Sequence, residues 1–247
     1  MTNYGKKFIQ YLFARWTKRH QVCYELESRV QADSDRSDIR VFEARIPSQR
    51  YGDNEQGERD AAIAESVRLI KLAKENGLYI PKNQWDNFGD RKRLPSGESI
   101  VYLSRDGKYI TKVRNPFAKA AIKQLRASDI IYEHLVHNIL FPSTRYTFVG
   151  ISEDIDGIRI ILRQNYIPLT FISPSQKQID KYIKSNLSLA DEGYHFYGNN
   201  YISITDVVAE GDNVLIGDGD ILYFIDPIIR LKKPALQVLD YYYSLLI

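Results

Sequence analysis

Four side chains in this sequence have types and surroundings suited to chemistry. Lys112 lies in the apolar run "YITKVR", beside Ile110 and Val113. An ammonium on such a strand needs a negative group to meet it, because burying a bare charge is costly. Glu133, about twenty residues further on, falls in the middle of the next helical stretch and offers that charge. Asn213 and Asp226 stand thirteen residues apart in "DNVLIGDGDILYFIDP". The two short apolar runs and the Gly turn between them describe a β-hairpin whose arms end in an amide and a carboxylate. Both offer oxygen, the atom that hard cations take. Singly, a strand lysine reads as an edge gatekeeper, and the hairpin ends as a polar turn and a strand-end Asp.

The elements that must position these residues follow from periodicity. Residues 4–31 read as a basic helix with Phe8, Ile9, Leu12 and Trp16 at helical spacing, and a polar linker follows. A second helix is expected over 59–76, with Ile63, Val67, Ile70 and Ala73 on its apolar face and Gly77 as its cap. "ESIVYLS" and "KYITKVR" are strands joined by an Asp106-Gly107 turn. Asn115-Pro116 supplies the start of a helix that runs to about Leu140. "YTFVGIS" and "IRIILRQNYI" are two more strands, turned at Asp156-Gly157. Beyond Pro168 come a Ser-capped helix over about 175–186, an irregular stretch near Gly193, the hairpin, and a short terminal helix.

Composition narrows the class. The chain has 247 residues, 44 % hydrophobic and 26 % charged, which is ordinary for a folded globular protein. A net charge of +3 does not by itself announce nucleic acid, although the basic N-terminal arm gives a route to an anionic partner. The single cysteine, Cys23, excludes an internal disulfide framework and fits a reducing compartment. No apolar run approaches a membrane span and no cleavage site follows the N-terminal stretch, so a cytoplasmic location is the expectation. His134 and His137 lie three apart on a helix without a third ligand nearby, and read as packed side chains. Neither a Walker lysine motif, a dinucleotide glycine fingerprint nor a G-x-S-x-G elbow occurs.

Strand, strand, helix, strand, strand, with a lysine on the second strand and a glutamate on the helix, is the order that protein kinases use to grip nucleotide phosphates. The sequence resembles the kinase-like domain of bacterial and phage polyvalent proteins, elements of mobile genomes, over residues 59 to about 233. The matching stretches are "AKENGLYI", "SGESIVYLSRDGKYITKV", "EHLVHNILFPSTRYTFVGI", "IILRQNYIP" and "DNVLIGDGDILYFIDPII". The most specific is His137-Asn138 with Phe141-Pro142 and the Tyr-Thr-Phe-Val-Gly that follows.

The resemblance implies an α+β, two-lobed protein-kinase-like fold: an antiparallel N-lobe and a reduced C-lobe, preceded by N-terminal helices. Residues 1–58 would be arm and linker, 59–168 the N-lobe with its leading helix, and 169–247 a minimal C-lobe. It implies ATP, Mg²⁺ and phosphoryl transfer to an unknown acceptor, protein or small molecule. Gly97 would approach the phosphates, Lys112 would hold them, and Glu133 would orient the lysine. Gln164, Asn165, Tyr166 and Ile167 would form the adenine-binding hinge. Asn213 and Asp226 would hold the metal, and Asp206 would act as the base.

Several positions depart from the family pattern. The phosphate loop has one glycine where eukaryotic kinases have three. The base is expected five residues before the Asn, at Val208, whereas Asp206 lies seven before. A bulged loop would restore it; otherwise Glu210 or Asp212 serves, or no base remains. Asp226-Pro227-Ile228 replaces Asp-Phe-Gly, and proline there opposes a backbone flip. With 21 residues after Asp226, a large helical platform for peptides is not expected. The alternative reading is a pseudokinase that binds a nucleotide or a protein.

Overall fold

A computed structural model describes residues 55–92, 99–118, 126–168 and 173–232, apart from 188, 194, 201, 210 and 212. The expected N-terminal helix, the linker to residue 54, Gly97 and the terminal helix lie outside the described residues.

Helix α1 spans Glu55–Glu75, beginning four residues before the expected start. Its buried face is Ala62, Ser66, Leu69 and Ala73 with Glu65, while Ile63 and Val67 are 60 % and 64 % exposed. The expected face is thus rotated, because small residues let the helix sit close to the sheet. Gly77 closes α1 at φ 70°, and the Leu78 N–H donates back to the Ala73 carbonyl at 2.9 Å.

Five antiparallel strands follow: β1 (Asp90–Lys92), β2 (Ser99–Leu103), β3 (Tyr109–Arg114), β4 (Tyr146–Asp154) and β5 (Gly157–Asn165). Their order is β1-β2-β3-β5-β4. Helix α2 (Ala127–Leu140) lies between β3 and β4 in sequence. It starts well after Asn115-Pro116, which instead form a turn in which the Asn115 side chain accepts the Phe117 N–H at 3.0 Å. The α2 N-terminus is fixed to α1: the Glu65 carboxylate accepts the Ser128 N–H at 3.0 Å, and buried Arg126 lies 3.1 Å from Glu58. Leu69, Ile130, Ile131, Ile151, Ile160 and Leu162 form the core between helices and sheet. The opposite face of the sheet has its own core of Trp85, Tyr102, Val113 and Ile161, covered by a 3-10 turn at Lys82–Phe88.

A second group of elements, the second body, begins at α3 (Gln176–Asn186), where the expected Ser cap, Ser175, forms a capping box with Gln178. The stretch near Gly193 is a hairpin with a local irregularity: β6 (Ala190–Gly193) pairs with β7 (Phe196–Gly198), and the register shifts between Asp191 and Gly193. Next come β8 (Ile202–Thr205), β9 (Val214–Ile216), β10 (Leu222–Phe224) and β11 (Ile228–Leu231). They form two sheets, β11-β8-β7-β6 and β10-β9. Ile179, Ile183, Tyr197, Ile204, Val214 and Phe224 make the core here, and Leu140 and Phe141 enter it from the end of α2. Phe141 and Phe224 stack at 4.2 Å between ring centroids. The architecture is α+β, with helices packed on antiparallel sheet.

Candidate active site

Strand register brings the hairpin residues to one edge. β9 and β10 pair Val214 with Phe224, and the Ile225 N–H donates to the Asn213 carbonyl at 2.7 Å. Asn213 and Asp226 therefore leave the hairpin at the same end. Two residues after Asp226, β11 begins, and its Ile228 pairs with Thr205 at the end of β8. Asp206 is the next residue along, so the ends of four strands deliver Asp206, Asn213 and Asp226 to one place.

In its described residues, the loop between Asp206 and Asn213 turns back as a bulge. Asp206 has φ 62°, a left-handed conformation that Asp tolerates better than most residues. Val207 is fully buried, and a Gly211 N–H to Val208 carbonyl bond of 3.1 Å turns the chain back. Gln176 of α3 holds both sides of the bulge, accepting the Ala209 N–H at 3.0 Å and donating to the Val207 carbonyl at 3.3 Å. The Asp206 carboxylate then accepts the Asn213 amide at 2.6 Å. Glu210 and Asp212 lie outside the described residues.

Lys112 reaches this edge from β3. Its side chain is 9 % exposed, and its Nζ lies 3.0 Å from Asp226 Oδ1 and donates to the Tyr146 hydroxyl at 2.8 Å. Burial alone would lower the Lys112 ammonium, but Asp226 and Tyr146 outweigh it and hold it above its usual value. Burial would likewise raise the Asp226 carboxyl; Lys112 and Arg114 prevail and hold it at about 2. Burial, reinforced by Asp226, pushes the Tyr146 phenol up to about 12. Near neutral pH the three are ammonium, carboxylate and protonated phenol.

Glu133 does not meet Lys112. Its Oε2 lies 3.0 Å from Arg230 Nη1 on β11, and this replaces the expected lysine–glutamate pair. The reason is positional, since β11 runs beside α2 and brings its arginine to the carboxylate first. Burial raises the Glu133 carboxyl to about 8 even against Arg230 and Arg114. His134 packs as expected, its Nδ1 on the Ile130 carbonyl at 2.5 Å and its Nε2 by Arg114 at 3.3 Å. His137 faces the Phe224 carbonyl at 3.2 Å.

The stretch 164–167 divides in two. The Gln164 side chain turns inward and donates to the carbonyls of Thr144 at 2.7 Å and Ile225 at 3.1 Å. The Tyr166 N–H is taken by the Lys108 carbonyl at 2.8 Å. Strand alternation directs the backbone of Gln164 to β3 as well, so only Asn165 and Ile167 turn their backbone groups away from it.

Residues 63–233, more than half of the chain, match the family model of the serine/threonine/tyrosine kinases found in polyvalent proteins. The chain belongs to this family. No curated protein and no solved structure matches it. Among the described residues, no helix is long and apolar enough to cross a membrane.

The donor set of this kinase-family domain fits magnesium. Asn213 spends its amide nitrogen on Asp206, which directs its oxygen elsewhere, and the Asp226 side chain is 51 % exposed. Among the described residues, no group of three or more His, Cys, Asp or Glu could hold a metal alone. Magnesium ordinarily keeps several waters and draws further ligands from phosphates, so one carboxylate and one amide suffice. The sequence singled out Lys112, Asp206, Asn213 and Asp226, which the fold unites. It gave no role to Tyr146, which opens the Tyr-Thr-Phe-Val-Gly stretch, or to Gln176, whose only signal was a cap-adjacent amide.

Proposed function

We propose that this chain is an ATP- and magnesium-dependent phosphotransferase. The observation that carries the reading is the meeting of Lys112, from within β3, with Asp226, Asn213 and Asp206, which lie next to the ends of strands in other sheets. Residues 59–168 would form an N-lobe and 169–247 a reduced C-lobe, with the nucleotide between them. The adenine would bond to the backbone of Asn165 and Ile167, and Gly97 would lie over the phosphates. Asn213 and Asp226 would hold magnesium, which supplies charge neutralisation at the phosphates. Lys112 would hold the α- and β-phosphates. Asp206 would accept the proton of an acceptor hydroxyl as that oxygen bonds to phosphorus and the bond to ADP breaks.

Calorimetric titration of Mg²⁺–ATP into the wild type, Lys112→Ala and Asp226→Asn tests this reading. Binding by the wild type should require magnesium and should vanish in Asp226→Asn. A folded wild type that does not bind would overturn the reading. The Glu133–Arg230 pair, which leaves Lys112 without its helix carboxylate, favours a second reading: a pseudokinase that binds nucleotide without transferring phosphate. Binding without any measurable ATP hydrolysis or transfer would support it.

A further inference from the structure

One hydroxyl touches both Lys112 and Asp226. Tyr146, the first residue of β4, accepts from Lys112 Nζ at 2.8 Å. Its single proton faces the Ile225 carbonyl at 2.8 Å and Asp226 Oδ1 at 3.2 Å. The phenol thus spans the lysine, the carboxylate and the backbone just before the carboxylate.

The ring that carries this hydroxyl is fixed at both ends. Asn138 grips the backbone of Tyr146 on both sides, accepting its N–H at 2.6 Å and donating to its carbonyl at 2.7 Å. His134 and His137 stand edge-on to the ring at 4.6 Å and 4.9 Å between centroids. A tyrosine has two side-chain torsions, so little entropy opposes this fixation. The His137-Asn138 pair, singled out in the sequence without a role, has one here: it places the phenol. Glu133 is engaged with Arg230 on β11, whose register against β8 is set by four paired residues.

We propose that Tyr146 is the positioning residue of this site, holding Lys112 and the Ile225–Asp226 segment in register, while Glu133 ties α2 to β11. Lys112 has three donors, of which one goes to the phenol and one to Asp226. The third would be available to a phosphate oxygen. Asp226 would hold magnesium, which would supply charge neutralisation, and the Tyr146 hydroxyl would keep Lys112 in place once that carboxylate is engaged. That functional consequence rests on the nucleotide reading above; the positioning itself does not.

The test separates the two. In the full chain labelled with ¹⁵N-lysine and free of nucleotide, the Lys112 ammonium should give an NMR signal protected from exchange, assigned by its loss in Lys112→Gln. Tyr146→Phe keeps the packed ring, so its melting point should stay near that of the wild type, yet the protected signal should be lost. Glu133→Gln should keep the signal. Titrated with Mg²⁺–ATP, Tyr146→Phe should bind about tenfold more weakly or worse, the loss expected for a hydrogen bond to a charged group, and Glu133→Gln should bind within about threefold. Loss of the signal in Glu133→Gln, or its survival in Tyr146→Phe, overturns the proposal. The expected NMR pattern without Mg²⁺–ATP binding by the wild type would uphold the positioning role and overturn the nucleotide reading.

Discussion

Burial pushes the carboxyls of Asp226 and Glu133 the same way, upward, yet their neighbours leave them shifted in opposite directions. Asp226 is held at about 2 by Lys112 and Arg114, so the stability that it contributes is complete above the ordinary carboxylate value and is lost only as pH falls toward 2. Glu133 goes the other way, from 4.5 to about 8, because burial outweighs its arginine neighbours. A carboxyl raised on folding binds a proton in the native state, so stability should fall as pH rises from about 4.5 to about 8. Glu133→Gln removes that titration. Urea unfolding at pH 5.5 and pH 8 should show the wild type losing on the order of 2 kcal/mol more than the variant over this interval. Equal losses would place the pH dependence elsewhere. The charge of Lys112 was legible because an ammonium in an apolar strand demands a partner. Which carboxylate it meets was not, because helix rotation and the position of Arg230 are set by tertiary packing.

At the scale of elements, the exposed edge of the sheet is managed by a short added segment. Tyr79 bridges Ile151 on the edge strand β4, through an Ile80 N–H to Ile151 carbonyl bond and an Ile151 N–H to Leu78 carbonyl bond, both 2.9 Å. This approach needs Gly150, where a Cβ would sit 2.3 Å from the Leu78 carbonyl oxygen, an atom of backbone that cannot swing aside. "GLYI" and "TFVGI" thus belong together, although no local pattern in either stretch signals that they touch. Gly150→Ala should therefore cost about 2 kcal/mol in chemical denaturation and speed hydrogen exchange at the Ile80 amide. An unchanged Ile80 amide would show that the segment docks by other contacts. Hairpins marked by Asp-Gly were legible from turn chemistry alone. The start of α2 was misjudged because Asn115-Pro116 satisfies an Asx turn with the same residues that open a helix, and local sequence does not distinguish the two.

Across the whole molecule, the hairpin that precedes Asp226 is held from α2, the turn at Pro142–Thr144, β4 and β5. Thr144 and His137 converge on the Phe224 carbonyl, and Gln164 and Tyr146 on that of Ile225. Phe141, at the end of α2, stacks on Phe224 itself. If these contacts make one cooperative unit, damage at Phe141 should be felt on both sides. Phe141 is 1 % exposed, and truncating a buried Phe to Ala costs about 3–5 kcal/mol. In Phe141→Ala, Trp85 fluorescence reports on the first body, read in a Trp16→Phe background because the chain has two tryptophans. Hydrogen exchange at the Ile204 and Val214 amides reports on the second. Both should lose the same free energy, with a single unfolding transition. Loss confined to the Ile204 and Val214 amides would mean that the second body opens alone. The edge where Lys112 meets Asp226 would then be built from two independently folding parts, and the register between these residues would depend on their docking, not on a shared core.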